Sequence, residues 1–302
     1  MTHLSRREFL GIAGMASTAV AANPRPKPVA VGAHPWVYAA TRTDRDIYEI
    51  LDTIFADLRY AGVDGIELMH TALRPDGAVE RISRLSEKSG LPVLGMSYSA
   101  DMWRRENHDA ILEEARLLIS RLARLGGRTL GTSVGNAGKP KTPEQFDAQA
   151  AVIREMMAVC EGHGVVLNLH NHVYEVADHE RDLKGTLERV PNARLGPDIG
   201  WFAQAGVEPV DLIKRYGSRI VFAHLRDRKR DGTWSEAMGE GDMDYGAVAK
   251  ALREATFSGT LVIELAHSQG FAPTRPLAGQ HPHEPGICAP GNGLVMSRIG
   301  PK

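Results

Sequence analysis

This 302-residue sequence contains few cysteines and has almost no net charge. Its two cysteines, Cys160 and Cys288, are too few for a disulfide framework or a thiolate zinc site. Cys160 falls at an apolar position of a helical run, so a buried free thiol is predicted there. The 36 basic and 37 acidic residues give a formal net charge of −1. This balance excludes the basic surface that binding to nucleic acid or to a membrane would require.

The amino-terminal segment carries an export signature. Ser5–Leu10 reads SRREFL, a twin-arginine pattern, and a mildly apolar stretch, Gly11–Val20, follows it. Ala19–Ala21 then provides a small-residue cleavage site. The apolar stretch is too short and too rich in glycine and alanine for a membrane span of about 20 residues. We therefore predict a signal peptide over residues 1–22, export by the twin-arginine machinery and a periplasmic or extracellular location, the alternative being a disordered basic leader.

The rest of the chain alternates between strand-like and helix-like runs. Its 43% hydrophobic content supports a sizeable core, and its length suits one eight-stranded barrel of about 250 residues. Because no hairpin signal interrupts the alternation, we predict an α/β fold, a (β/α)8 TIM barrel over residues 28–271. An open doubly wound sheet is the alternative, although no G-x-G-x-x-G motif follows the first strand. The predicted strands are Val29–Ala33, Gly65–Met69, Pro92–Ser97, Arg128–Ser133, Val165–Leu169, Ala193–Pro197, Ile220–Ala223 and Thr260–Ile263, and Thr142, Pro143 and Gln145 predict a capping box after the fourth of them.

The carboxyl-terminal segment does not fit this pattern. An eighth helix is expected after Glu264, but residues 272–302 are rich in proline and glycine and have no sustained apolar period. One interpretation is a poorly ordered, irregular tail. The other is that a natural eighth helix was lost, for instance through a change of reading frame, which would leave part of the barrel wall uncovered.

Metal-capable side chains stand where four strand-like runs end: His170 and His172, Asp198, His224 and Glu264. The carboxyl ends of parallel barrel strands meet on one face, so these groups should converge there. Taken singly, such a histidine is more often structural, and Asp198 could simply cap the following helix. Taken together, His172, Asp198, His224 and Glu264 predict a site for one divalent metal ion. Nitrogen and oxygen ligands without thiolate suit Mn²⁺, Co²⁺, Zn²⁺ or Fe²⁺ better than Ca²⁺, and Mg²⁺ stays open as well.

Five short motifs in this order resemble a known family. They are GIEL at strand two, HNH at strand five, DIGW at strand six, HLRD at strand seven and the turn Gly239–Gly241. Together they resemble the xylose-isomerase-like TIM-barrel family of sugar (phosphate) isomerases and epimerases. The resemblance implies one divalent ion held by a glutamate, an aspartate, a histidine and a glutamate on strands five to eight. The last three correspond to Asp198, His224 and Glu264, while the strand-five glutamate is replaced by His172, with His170 and the more distant Glu175 as alternatives.

The resemblance also implies proton transfer next to a sugar carbonyl. A metal would polarise the carbonyl of a ketose or α-hydroxyketone, Glu264 would take the acidified proton, and His170 would return it. The two-glutamate mechanism of ketose epimerases does not carry over, because the strand-five glutamate is absent. Isomerisation, epimerisation and elimination from a keto-glycoside all stay open, and export favours free sugars or oxidised glycosides. The residues expected to bind substrate at this mouth are His34, Trp36, Glu67, Trp201, Arg226 and Asp227.

Two other functions compete with an enzyme acting on a small carbohydrate. The same barrel carries metal-dependent endonucleases for abasic DNA, which the missing basic groove and the export signature argue against. The second alternative is a sugar-binding barrel without catalysis. The family resemblance also makes a homodimer reasonable.

Overall fold

The computed structural model describes residues 29–268, 270 and 272–275. The predicted signal peptide, residues 276–302 of the predicted tail, and Cys288 lie outside the described residues. The two predicted barrel boundaries, at residues 28 and 271, lie outside them as well.

Eight parallel strands form a nearly closed barrel. Neighbours in the chain pair side by side from β1 to β6, β1 also pairs with β8, and β8 pairs with β7. Two bridges, Leu195 to Ile220 and Asp198 to His224, link the remaining gap between β6 and β7. This arrangement confirms the predicted (β/α)8 architecture. The strands are β1 Val31–Ala33, β2 Ile66–Met69, β3 Val93–Ser99, β4 Thr129–Ser133, β5 Val166–Leu169, β6 Arg194–Leu195, β7 Phe222–Leu225 and β8 Thr260–Ile263.

Helices follow the first seven strands and surround the barrel. They are α1 Trp36–Ala40, α2 Leu51–Ala61, α3 Ala78–Ser89, α4 His108–Arg124, α5 Pro143–Gly162, α6 Val173–Arg189, α7 Ile199–Gln204, α8 Pro209–Tyr216 and α9 Tyr245–Glu254. No helix follows β8 among the described residues up to 275. Within the described part of the chain, no helix is long and apolar enough to cross a membrane.

The ends of two helices follow from residues that the sequence makes conspicuous. Gln145 N donates to Thr142 Oγ1 at 3.3 Å, Thr142 N donates to Gln145 Oε1 at 2.9 Å, and Pro143 is the first residue of α5. These bonds confirm the predicted capping box. Helix α3 ends before Gly90, whose φ of 69° lies in the left-handed region that glycine adopts without strain.

Strands β6 and β7 differ from their predicted bounds. Only Arg194–Leu195 is regular strand in β6, and β7 lies two residues later than predicted, at Phe222–Leu225. The two segments nevertheless continue side by side, because His224 N donates to Pro197 O at 3.0 Å and Asp198 forms a bridge with His224. His224 therefore lies inside β7, and its backbone pairs with Asp198 on one side and with Val262 in β8 on the other.

A continuous apolar core fills the space between the strands and the helices. Its largest fully buried side chains include Phe55 and Phe202. Cys160 on α5 is part of this core at 1% exposure, and burial raises the pKa of its thiol to about 12. These observations confirm the predicted buried free thiol, which stays protonated and therefore unreactive at neutral pH.

Gly95 in β3 packs so closely against β4 that a side chain does not fit. A Cβ at this position would lie 2.1 Å from Thr129 Oγ1 and 2.7 Å from Thr129 O. We expect Gly95→Ala to lower the free energy of unfolding by about 1–3 kcal/mol, because β3 and β4 must move apart. The matched control is Gly162→Ala at the exposed end of α5, where the added Cβ has no neighbour within 4 Å. Urea denaturation of both variants measures the effect, and equal midpoints would contradict the expectation.

Candidate functional site

Four side chains from consecutive strands converge at the carboxyl ends of β5 to β8. They are His170, Asp198, His224 and Glu264, and one donor atom of each lies within 4.8 Å of the others. His224 Nδ1 is 2.9 Å from His170 Nδ1 and 3.3 Å from Glu264 Oε2. Ligand atoms that share one ion at roughly 2 Å lie about 3–4 Å apart. The geometry and chemistry of this donor cluster therefore fit one divalent ion held by two imidazoles and two carboxylates.

The donor cluster contains His170, where the sequence predicts His172. The chain leaves the strand after His170, and His172 becomes the residue that caps α6. His172 N donates to Glu175 Oε2 at 2.5 Å, and His172 Nδ1 lies 3.2 Å from Ser133 Oγ. Residues 170 and 172 would point to the same face only if the strand continued through both of them. Because the strand ends before His172, that side chain does not join His170 in the donor cluster. Glu175, the distant alternative, is also occupied by the cap and by Val134 N at 3.3 Å.

Asp198 combines a place in the donor cluster with two structural contacts. Trp201 N donates to Asp198 Oδ1 at 3.0 Å, so Asp198 caps α7, as the alternative interpretation of the sequence had it. Arg226 Nε donates to Asp198 Oδ2, and Arg226 Nη2 lies 2.8 Å from Glu264 Oε2. The side chain of Arg226 is only 3% exposed, so its single positive charge pairs with both carboxylates away from bulk water. Each carboxylate keeps lone pairs for an ion, because four are available per group.

Glu264 stays ionised in this environment. Burial acts to raise the pKa of Glu264, but Arg226, together with the charged His224, acts more strongly and holds that pKa well below its usual value. The charged form is the one that a cation or a proton-abstracting role requires.

His224 is supported from behind by a second carboxylate. Its Nε2 lies 2.5 Å from Glu67 Oε2, and Glu67 is fully buried. Burial acts to lower the pKa of His224, but Glu67 and Glu264 outweigh it and raise that pKa to about 9. Because Nε2–H points at Glu67, Nδ1 is the nitrogen left for the donor cluster. Glu67 is therefore buried beneath the donor cluster, and its predicted contact with substrate stays a prediction.

The hydrogen bonds of His34 define its tautomer. Trp36 N donates to His34 Nδ1 at 3.1 Å, so Nε2 carries the proton and donates to Ser97 Oγ at 2.8 Å. Burial lowers the pKa of His34, which keeps the ring neutral. His34 Nδ1 also lies 3.5 Å from Glu264 Oε1. The ring therefore presents a fixed polar edge beside Glu264.

Two adjoining cavities open onto the donor cluster. The larger, which we call the polar cavity, has a volume of about 680 Å³, and its walls include His34, Ser97, Ser133, His170 and Glu264. The smaller, which we call the aromatic cleft, has a volume of about 360 Å³, and its walls include Trp36, Trp201, Arg226, Trp234 and Glu264. Trp36, His172 and Glu264 belong to both walls. The predicted mouth residues His34, Trp36, Trp201 and Arg226 thus all lie around Glu264.

Asp227 does not line either cavity, and its predicted contact with substrate stays a prediction. Its carboxylate accepts backbone hydrogen bonds from Arg228 at 2.9 Å, from Gly239 at 2.7 Å and from Gly241 at 2.9 Å. At 2% exposure it organises the loop between β7 and α9. A side chain at residue 241 would collide with it, because a Cβ there would be 2.2 Å from Asp227 Oδ1.

Several cavity residues escape prediction from the sequence. Ser97 and Ser133 lie near the ends of β3 and β4, so their strand-end position is a signal that could have found them. Trp234 lies in the loop after β7, where only its residue type marks it. His70, directly after β2, packs edge-to-face on Tyr98 with ring centroids 5.0 Å apart. Burial, aided by the charge of Arg74, lowers the pKa of His70 to about 4.

A parallel barrel with a polar cluster at its carboxyl-terminal face is the architecture of TIM-barrel enzymes. The family described as xylose isomerase-like TIM barrel matches residues 55–284 of this chain, and the chain belongs to that family. Similar solved structures include an L-ribulose 3-epimerase, with a TM-score of 0.67, 19% identity and coverage of 90% of this chain and 94% of the other. A 3-keto-D-glucoside 4-epimerase from E. coli has a TM-score of 0.59 and 16% identity, over 80% and 94%.

A curated relative is inosose dehydratase from Geobacillus kaustophilus (strain HTA426). It is 22% identical over 151 residues, which cover 43% of this chain and 49% of the relative. The match therefore spans about half the length of that protein. Likeness at these identities establishes the shared fold.

The low pKa of His70 makes stability depend on pH. Between about pH 4 and 6.5 the unfolded chain binds a proton at His70 that the folded chain does not, so falling pH favours unfolding. Relative to His70→Gln, the wild type should lose about 2 kcal/mol of unfolding free energy between pH 7.5 and 5. Denaturant titrations at both pH values measure this difference. His163→Gln, at an exposed site, should keep the wild-type pH dependence, and a parallel loss in His70→Gln would contradict the assignment.

Proposed function

We propose that this protein is a divalent-metal-dependent enzyme of the sugar isomerase and epimerase type, which moves a proton next to the carbonyl of a free or glycosidic keto-sugar. The observation that carries the proposal is the donor cluster of His170, Asp198, His224 and Glu264, gathered within 4.8 Å where two cavities meet. The family to which the chain belongs, and the epimerases among its structural neighbours, support the same reaction class.

The four residues of the donor cluster would hold the ion, which could be Mn²⁺, Co²⁺, Zn²⁺ or Mg²⁺. Such an ion supplies Lewis acidity, which polarises a carbonyl and acidifies the neighbouring C–H group. Arg226 complements this role, since its positive charge holds the pKa of Glu264 low and opposes the burial that raises the pKa of Asp198. Glu67 fixes the ring of His224 from the side opposite the ion.

Glu264 is the candidate base. It borders both cavities, it is ionised, and Arg226 Nη2 fixes the orientation of its Oε2 at 2.8 Å. His170, the sequence's candidate for returning the proton, would now hold the ion, and its ring nitrogen away from His224 would donate a hydrogen bond to substrate in the polar cavity. The proton that Glu264 takes would then return to the substrate from the same carboxyl group.

Elimination from a keto-sugar is the second candidate reaction. Epimerisation by two carboxylates needs a base on each face of the sugar carbon, and the strand-five glutamate that would supply the second is replaced here by His170. A single carboxylate beside an imidazole suits removal of a proton followed by loss of a neighbouring hydroxyl group. The similarity to a dehydratase over 151 residues points the same way.

The protein is also proposed to be exported. The twin-arginine pattern of Ser5–Leu10 and the cleavage site after it support a periplasmic location, where free sugars and oxidised glycosides are the available substrates.

Metal binding distinguishes His170 from His172 as the ligand that follows strand five. Saturating Mn²⁺ should raise the melting temperature of the metal-stripped wild type by roughly 5–10 °C, as expected for about 2.7 kcal/mol of ligand stabilisation. His170→Ala should lose this shift, whereas His172→Ala should keep it, because His172 caps α6 outside the cluster. Differential scanning fluorimetry with each variant measures the shifts. No shift in the wild type would contradict the metal site, and the reverse order of the two variants would restore His172 as the ligand.

Proton abstraction is tested by solvent exchange. In deuterated water with Mn²⁺, the wild type should incorporate deuterium next to the carbonyl of a ketose or 3-keto-glycoside, as followed by NMR. Glu264→Gln should slow this incorporation by about 10²–10⁴-fold, the usual contribution of a general base. Glu254→Gln, an exposed glutamate on α9, serves as the control and should exchange at the wild-type rate. Tight sugar binding without exchange in the wild type would favour the non-catalytic sugar-binding barrel.

A further inference from the structure

The two cavities together are larger than a single reacting sugar ring needs. The polar cavity, of about 680 Å³, already lies within the range of roughly 300–1,000 Å³ that encloses whole small-molecule ligands. The aromatic cleft adds about 360 Å³ on the other side of Glu264. Because Trp36 and Glu264 form part of both walls, one ligand can extend from the polar cavity into the aromatic cleft without leaving the protein surface.

Tryptophan is concentrated in this cleft. The sequence contains only four tryptophans, and three of them, Trp36, Trp201 and Trp234, line the cleft. Trp201 and Trp234 meet edge-to-face with ring centroids 5.0 Å apart and an angle of 77° between their planes. Two indoles at nearly right angles form a corner that a flat ring can enter, with one face against an indole plane.

The tryptophans of the cleft are anchored by polar contacts and close packing. Trp36 Nε1 donates to His267 O at 3.0 Å, which connects the segment after β1 to the segment after β8. The guanidinium of Arg226 lies over the Trp201 ring at 5.1 Å. Gly200 in α7 leaves room for Trp234, since a Cβ there would be 3.1 Å from Trp234 Cζ3. The aromatic walls are therefore positioned in advance, so a ligand would lose little free energy in ordering them.

The charge of the cleft disfavours an anionic occupant, because ionised Glu264 forms part of its wall. Among the described residues that line it, Arg226 is the permanent cation, and its guanidinium is already engaged by Asp198 and Glu264. Burial lowers the pKa of His267 to about 4, so that ring is neutral as well. A phosphate group would find no unengaged positive charge here, whereas a neutral ring with an apolar face would bury that face against indole.

We infer that the aromatic cleft is a subsite for a second, uncharged six-membered ring, and that the substrate class is therefore a glycoside. The oxidised sugar ring lies in the polar cavity beside Glu264, and the ring joined to it through the glycosidic bond lies between Trp36, Trp201 and Trp234. This inference rests on the proposed function for the position of the reacting ring. A second sugar and an aromatic aglycone share the required chemistry, an apolar ring face without charge.

Binding of three neutral probes tests the subsite without requiring any reaction. The probes are methyl β-D-glucoside, cellobiose and phenyl β-D-glucoside, titrated by calorimetry into the full-length protein. Cellobiose or phenyl glucoside should bind about tenfold more tightly than the methyl glucoside, equivalent to about 1.4 kcal/mol. A gain for cellobiose alone assigns the cleft to a second sugar, and a gain for the phenyl glucoside alone assigns it to an aromatic aglycone. Equal affinity for all three probes would overturn the inference.

Two variants locate the gain in the cleft. Trp234→Ala should abolish the advantage of the two-ring probe, whereas Trp103→Ala, the tryptophan outside the cleft, should retain the advantage and leave binding of the methyl glucoside unchanged. If Trp234→Ala does not fold, Ser268→Leu narrows the exposed edge of the cleft without removing a core contact, and it should also abolish the gain. A two-ring advantage that survives both cleft variants would overturn the inference.

The tests of the subsite and of the proposed function can give different results. Tighter binding of a two-ring probe by a protein that shows no deuterium exchange would support the subsite while the enzymatic proposal fails. Exchange in a keto-monosaccharide and a keto-disaccharide at equal efficiency, unaffected by Trp234→Ala, would support the enzyme and overturn the subsite.

Discussion

The buried contact of Arg226 with Asp198 and Glu264 is the interaction on which the polar face of this barrel depends. Two carboxylates and several imidazoles lie within a few ångströms of one another at the strand ends, where an unpaired charge would cost several kcal/mol. The guanidinium bonds to both carboxylates at once and stacks over Trp201, so it links β6, β7 and β8 at the point where the sheet is least regular. The same residue thus makes the site stable and shapes one wall of the aromatic cleft.

A third carboxylate extends this organisation into the barrel. Glu67 contributes no group to either cavity wall, yet its contact with His224 Nε2 decides which nitrogen of that ring faces the donor cluster. His34 is oriented in a comparable way by Trp36 N and Ser97 Oγ. Neighbouring polar groups therefore set the direction and the protonation of the imidazoles that face the site.

Strand periodicity predicts most of this arrangement, and its failures have local causes. Asp198, His224 and Glu264 could be placed from the sequence because parallel strands bring their carboxyl ends together whatever the exact bounds of β6 and β7. The choice between His170 and His172 depends on where the strand gives way to the α6 cap, which a single sequence does not reveal. Asp227 follows a strand end as well, but the backbone groups of its own loop capture it. Trp234 lies in that loop, outside any period.

The division of the site between the two halves of the chain has an evolutionary consequence. All four members of the donor cluster come from β5 to β8, whereas β1 to β4 contribute wall residues such as His34, Trp36, Ser97 and Ser133. Substitutions in the first half can therefore alter which molecule is accepted while the reactive groups stay in place. Descendants of such a chain could therefore change in substrate specificity before they change in the reaction they catalyse. The hydrogen bond from Trp36 to the His267 carbonyl joins the variable half of the site to the half that carries the donor cluster.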